Sequence, residues 1–294
     1  MRRSVSAAAL AVALVVACAS AALARDVKRC GITIGAGKTG TLVQDVECGY
    51  RCSRDHTVRC PYDAARADWI CPVDRSQGCS AETIVLERNA TLDLNGFDLR
   101  AVYQHDGIIC AAGSRSKCTL RGPGNFFAGK GRAITPNGRA IVLEDVMIDR
   151  DYDGFSGAHR IRASNVVLQS CSSAMVADGA VRATNVWVGG GCGLIAGGNM
   201  FLRDVTVVDG VWAKGTVRGY GVRAWSPMSG SVGGKDVFLV DSELGRVRAG
   251  RQLVLRDSTV EHITTGEEPA LIRSSCEESV RVDGTGTWGV CSLD

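Results

Sequence analysis

Leu143-Glu144-Asp145-Val146-Met147-Ile148 is followed by Ala163-Ser164-Asn165-Val166-Val167-Leu168, Ala183-Thr184-Asn185-Val186-Trp187-Val188 and Leu202-Arg203-Asp204-Val205-Thr206-Val207. Each copy runs apolar, polar, Asn or Asp, then Val and an alternating apolar tail. Leu239-Val240-Asp241-Ser242 and Leu255-Arg256-Asp257-Ser258 repeat it with Ser in the fourth place. Successive Asn/Asp positions lie 20, 20, 19, 37 and 16 residues apart, and 37 is close to two periods. Working backward, Asn125 in Gly124-Asn125-Phe126-Phe127 stands 20 residues before Asp145. Asn95 in Leu92-Asp93-Leu94-Asn95-Gly96 starts the series, with an insertion after it.

A fixed period near twenty is the mark of a repeat architecture. Leucine-rich repeats need several leucines at fixed places, which this chain lacks. Its apolar slots hold Val, Ile, Leu and Ala in short alternating runs, the pattern of strands with one buried face. No ten-residue helical period interrupts them. Gly 36 and 5% aromatic residues suit tight stacked coils. Asn and Asp tolerate the left-handed conformation of a sharp corner. Stacked at the strand spacing of about 4.8 Å, their side chains can hydrogen-bond up the stack. Phe155, Met175 and Leu194, ten residues before successive corners, with Thr135 beside Ile134 in the coil before, mark the buried residues of another face. The expected fold is an all-β, single-stranded parallel β-helix, right-handed by the general rule for parallel crossovers.

Residues 1–24 read as a targeting segment. Arg2 and Arg3 precede an apolar run, Ala7 to Ala17, too short to span a bilayer, and Ala22-Leu23-Ala24 matches a signal-peptidase exit. Val15-Val16-Ala17-Cys18 also resembles a lipobox, which would put a lipid anchor on Cys18. Either way the mature chain is expected to be secreted, periplasmic or on the cell surface, and not an integral membrane protein. Without Arg2 and Arg3 the 34 basic residues fall to 32 against 31 acidic. That balance speaks against nucleic acid, whose binding needs a concentrated basic face. Arg246, Arg248, Arg251 and Arg256 read as solvated strand faces.

Beyond Cys18, twelve of the 13 cysteines remain, an even number in an exported chain. Zinc is the rival reading, but Cys48-x3-Cys52 has no second close pair. The register sets Cys171 and Cys192 side by side in adjacent coils, within disulfide reach. Cys110–Cys118 is expected to close the inserted loop and Cys276–Cys291 to pin the C-terminal end. Residues 25–80, rich in cysteine and poor in periodicity, read as a cap, followed by the β-helix over 81–262 and an end segment over 263–294. The pairing of Cys52, Cys60, Cys71 and Cys79 does not follow from the sequence.

Cys30-Gly31-Ile32-Thr33-Ile34, Leu42-Val43-Gln44-Asp45-Val46-Glu47-Cys48 and Ala90-Thr91-Leu92-Asp93-Leu94-Asn95-Gly96-Phe97-Asp98-Leu99 resemble the opening coils of right-handed parallel β-helix repeat proteins of the pectate-lyase-like superfamily. Many of these are exported bacterial proteins. The resemblance covers roughly residues 30 to 262. It implies that Cys30 pairs with Cys48, and it brings acidic polysaccharide into view, since the superfamily includes lyases and hydrolases of such polymers.

The polygalacturonase-type set of paired aspartates, Gly-His-Gly and Arg-Ile-Lys is absent; Arg160-Ile161-Arg162 is a distant echo. Lyases of this fold use calcium held by carboxylates with an Arg or Lys as base. The one cluster suited to that is Asp149-Arg150-Asp151-Tyr152-Asp153-Gly154, with Arg150 or Arg160 as the base. Asp149, Asp151 and Asp153 match the opening of a calcium loop, although its twelfth position is Arg160 where a bidentate Glu belongs. An in-register corner accounts for the same residues. His105-Asp106 and His159-Arg160 are acid/base candidates. Trp212, Tyr220 and Trp225, with Lys214, Arg218 and Arg223, offer rings and cations for a sugar acid, or a covering for the flank of the stack. Two readings result: a scaffold or glycan-binding module, and a lyase or hydrolase of acidic glycans working through the Asp149–Asp153 cluster.

Overall fold

Residues 175–188 make most of one lap. Met175–Ala177 forms one face, and Val181–Val188 then bends at Asn185, so a single strand supplies two more. In the computed structural model, which describes residues 24–52, 56–58, 62–63, 68–69, 80–101, 106–111, 116–128, 133–149, 155–169, 175–190, 193–224 and 231–291, this lap repeats along the chain. We call the strand before the corner the first face, that after it the second, and that preceding the next first-face strand the third.

Every pairing in the stack is parallel, residue over residue. Ala163, Ala183 and Leu202 lie in one first-face column, Leu168, Val188 and Val207 in a second-face column, and Met175, Leu194 and Val211 in a third-face column. All nine are buried. Period-two alternation therefore points one set of side chains into a continuous apolar interior and the other into solvent. The expected β-helix is observed, and no helix occurs among the described residues, so none there is long and apolar enough to cross a membrane. Parallel pairing runs from Ala24–Val27 to Ser275–Arg281, beyond both ends of the 81–262 segment read from the repeat. The first laps are set apart by the insertion after residue 49, and in the last the corner is Arg273, which the Asn/Asp search passes over.

The corners are left-handed at Asp145, Asn165, Asn185, Asp204, Asp241 and Asp257, with φ between 50° and 55°. The 37-residue gap is two laps, with Gly221 (φ 63°) as the missing corner. Tyr220 lies opposite Arg203 and Val240, which puts Gly221 between Asp204 and Asp241. A Cβ there would stand 2.7 Å from the Asp204 Oδ1.

Asn125 is a correction: it does not stand in the corner column. Arg121 pairs with Glu144 but Phe126 with Ile148, so Gly122-Pro123-Gly124 carries one extra residue and pushes Asn125 onto the second face opposite Met147. There it continues an earlier ladder, donating from Nδ2 to the Asp98 Oδ1 at 2.8 Å, while Asp98 donates its backbone N–H to Asp45 at 2.9 Å. The corner ladder proper runs Asn185 Nδ2 to Asn165 Oδ1 (2.8 Å) and Asn165 Nδ2 to Asp145 Oδ1 (2.7 Å). In the last laps the residue after the corner is Ser. The Oγ of Ser242, Ser258 and Ser274 each accepts the N–H of the lap before, from Val222, Ser242 and Ser258 respectively. The Val-to-Ser change in the repeat thus exchanges an apolar column for a hydrogen-bonded one.

Lap length varies between a second-face strand and the next third-face strand. In the 16-residue lap the chain passes straight through, within Glu243–Ala249. Disulfides join Cys30–Cys48, Cys110–Cys118 and Cys276–Cys291, with Cα separations of 5.3, 6.1 and 5.0 Å. Cys171, Cys192, Cys60, Cys71, Cys79 and Cys18 lie outside the described residues, as does the side chain of Cys52. At the C-terminal end Thr287 pairs back, antiparallel, onto Val280, and the Trp288 ring lies 4.3 Å from the Arg281 guanidinium, covering the end of the third face.

Asp236, only 6% exposed, opens a first-face strand and accepts two hydrogen bonds from Arg251, Nε at 2.7 Å and Nη2 at 2.8 Å. This paired donation holds its carboxyl below the usual carboxylate range, against the opposing pull of burial. A depressed folded-state pKa stabilises the fold above the unfolded carboxylate's value of about 3.9 and loses that contribution as pH falls through the folded value. Thermal melts of the native chain are therefore expected to steepen their decline below about pH 4. In Arg251→Ala that part of the acid limb should be flattened. Identical acid limbs in the two proteins would show that the pair does not contribute.

Candidate functional site

Two columns of outward residues on the first face lie three and one residues before each corner. Pairing runs the first as Thr119, Val142, Arg162, Arg182, Phe201, Arg218, Phe238, Val254 and Ala270. The second runs Arg121, Glu144, Ser164, Thr184, Arg203, Tyr220, Val240, Arg256 and Ile272. From Arg162 and Ser164 to the end, neither column holds a carboxylate. It holds five arginines, Phe201, Phe238 and a half-exposed Tyr220.

Rings and cations alternate in contact. The Arg182 guanidinium lies 5.5 Å from the Phe201 ring centroid, and Arg218 lies 5.7 Å from Phe238. This geometry orients each guanidinium by a ring one lap away and leaves its donors free for an anion. Arg162, Arg182, Arg203 and Arg218 form no salt bridge with any carboxylate among the described residues. At the N-terminal end of the strip a concavity of about 320 Å³ is lined by Lys117, Arg160, Arg162 and Arg182, with Glu144 beside them. Glu144 is already engaged by Arg121 at 3.0 Å. The strip is basic and partly aromatic over at least five coil steps, about 24 Å at the strand spacing.

The residues singled out by sequence are dispersed. Arg218 and Tyr220 share the strip. Trp212, 47% exposed, projects from the third face, and Arg223 projects from the second, between Thr206 and Glu243. Trp225 lies outside the described residues. Asp149 is outward on the second face, between Phe127 and Gln169, whereas Arg160 is outward on the first. Arg150, Asp151 and Asp153 lie outside the described residues, as does His105. Among the described residues no three His, Cys, Asp or Glu side chains gather as a metal-ligand set.

Sequence reading missed Arg182, Phe201, Arg203 and Phe238, noticed Arg162 only within Arg160-Ile161-Arg162, and took Arg256 for a solvated strand face. The signal was available. Once the corners are placed, the residue three before each one reads Val, Arg, Arg, Phe, Arg, Phe from Asp145 to Asp241, counting Gly221. Overall charge balance hid it, because net charge averages over faces that the fold keeps apart. A row of arginines that composition averages away is present on the first face. No family model matches the chain, and no curated protein or solved structure matches it.

Proposed function

We propose that this is an exported β-helix that binds acidic polysaccharide lengthwise along its first face. One observation carries the reading: from Arg162 to Arg256, two adjacent outward columns hold an arginine or a ring in every lap and no carboxylate. A linear polyanion laid along the stack meets a guanidinium or a ring at each coil step. Guanidinium forks suit carboxylates or sulfates, and exposed rings suit the apolar faces of sugars. The disulfides and the apolar leader favour a compartment outside the cytoplasm, where such polymers occur.

The test is retention on immobilised polygalacturonate with a salt gradient, against the double variant Arg182→Ala/Arg218→Ala. The native chain should bind, and its affinity should fall as salt rises. The double variant should bind about tenfold more weakly, close to 1.4 kcal/mol, with an unchanged circular dichroism spectrum. Equal retention of the two proteins would overturn the reading, as would tighter binding to duplex DNA than to the polyuronate at the same salt. Cleavage of the polymer is the rival activity. Appearance of unsaturated or new reducing ends, with or without calcium, would replace a binding role by a catalytic one.

A further inference from the structure

The third face carries a second exposed aromatic feature, separated from the strip by the turn between the faces. Its outward column runs Val176, Ile195, Trp212, Gly233, Arg248, Thr264 and Val280. The Trp212 indole lies flat over the next lap at Gly233. A Cβ built on Gly233 would fall 1.1 Å from Cζ3 and 1.5 Å from Cε3 of the ring. Any side chain at 233 must therefore displace the indole. One face of the ring is covered by backbone, and the other is open to solvent, with Trp212 47% exposed.

Two concavities meet at this ring. The larger, about 860 Å³, is lined by Asp178, Ile195, Trp212, Lys214 and Arg248. The smaller, about 450 Å³, is lined by Trp212, Arg246, Arg248, His262 and Glu278. Trp212 and Arg248 border both, so the two form one trough along the stack axis. Its chemistry differs from that of the strip. It is concave, it is centred on a single supported ring, and its rim mixes cations with carboxylates. Glu278 accepts from or pairs with His262 Nδ1 at 3.3 Å, so the rim is polar on both sides of the ring.

We propose that this trough is a second saccharide site, in which a pyranose ring stacks on the open face of Trp212 and an acidic substituent meets Arg248, two coils on from Trp212 and next beyond Gly233. A flat ring pinned from below suits the apolar face of a sugar, and a mixed polar rim suits its hydroxyls. An alkyl chain would leave Asp178, Lys214 and Arg248 desolvated without partners. The proposal does not depend on the first-face strip. If both sites operate, one molecule bridges two glycan chains, and its avidity exceeds either site alone.

Calorimetric titration of the full chain with a short oligogalacturonate tests it, since an oligomer of a few rings cannot exploit the length of the strip. Saturable binding is expected, weakened about tenfold in Trp212→Ala and also weakened in Gly233→Ala, which lifts the indole. Gln169→Ala, on the second face and outside both sites, should titrate as the native chain does. Circular dichroism of all variants should coincide. Binding lost in Arg182→Ala/Arg218→Ala and retained in Trp212→Ala would place the only glycan site on the first face and overturn the trough. No saturable binding, or binding of an extended peptide in place of any saccharide, would overturn it as well. Retention of the native chain on the long polymer alone would leave the first-face reading standing.

Discussion

Phe126→Ala is expected to lower the unfolding free energy by about 3–5 kcal/mol, measured by guanidinium titration followed by far-ultraviolet circular dichroism. Phe126 and Phe155 are the largest of the fully buried side chains among the described residues. Phe126 stands in the second-face interior column between Leu99 and Ile148 and spans the hollow of its lap. Across that hollow is Gly107, where a Cβ would fall 2.5 Å from the ring's Cζ and 2.8 Å from the Ala101 Cβ. The ring occupies space that Gly107 concedes. Backbone ladders above and below hold the lap's perimeter fixed, so the walls cannot close on a deleted ring, and the loss should lie near the cavity-forming end of the range. Phe126→Leu, which refills most of the volume, should cost about 1–2 kcal/mol. A small loss in the alanine variant would mean that the lap collapses around the gap, contrary to a stack of rigid perimeters.

Asn165→Val should cost about 2–5 kcal/mol. Two contributions add. A β-branched residue in the left-handed region costs about 1–2 kcal/mol. The two ladder hydrogen bonds, to Asp145 and from Asn185, are worth about 0.5–1.5 kcal/mol each and are lost together. Asn165→Gly separates them, because glycine accepts φ 53° without strain and forfeits only the ladder. The natural corner at Gly221 shows that the fold accommodates that exchange. The glycine variant should therefore recover about 1–2 kcal/mol relative to valine. If valine and glycine are equally destabilising, the corner's backbone conformation is not what selects Asn and Asp there.

The fold was legible because one constraint recurs. Every lap needs a residue that accepts positive φ at the same place, and Asn or Asp meets it at six of the corners from Asp145 to Asp257. Where another solution was used, the sequence went quiet. Gly221 and Arg273 meet the same need without the expected letter, and Asn125 carries the letter without the conformation, displaced by a Gly-Pro-Gly turn. Arg273 is held by Asp257 of the lap below, Nη2 to Oδ2 at 2.7 Å, so a cation finishes a column that amides began. The candidate site was legible only in part. Trp212, Arg218, Tyr220 and Arg223 drew notice as neighbours in sequence, yet strand alternation and the corner send them to three faces. Residues one lap apart, such as Phe201, Arg218 and Phe238, are the true neighbours, and composition in a local window cannot show them. Of the Asp149–Asp153 cluster the described residues show one relation: Asp149 projects from the second face and Arg160 from the first, so neighbours eleven residues apart do not share a face.

Because each circuit of the chain adds one rung to the first face, the surface behaves as a ruler graduated in laps. Deleting residues 181–199 would set Arg162 directly against Phe201 and shorten the ruler by one mark without altering the chemistry of the others. A duplicated lap would lengthen it equally. Length of the arginine-and-ring strip is thus inherited separately from the side chains on each rung, and a gene encoding such a chain can change one by copying whole periods while leaving the other intact.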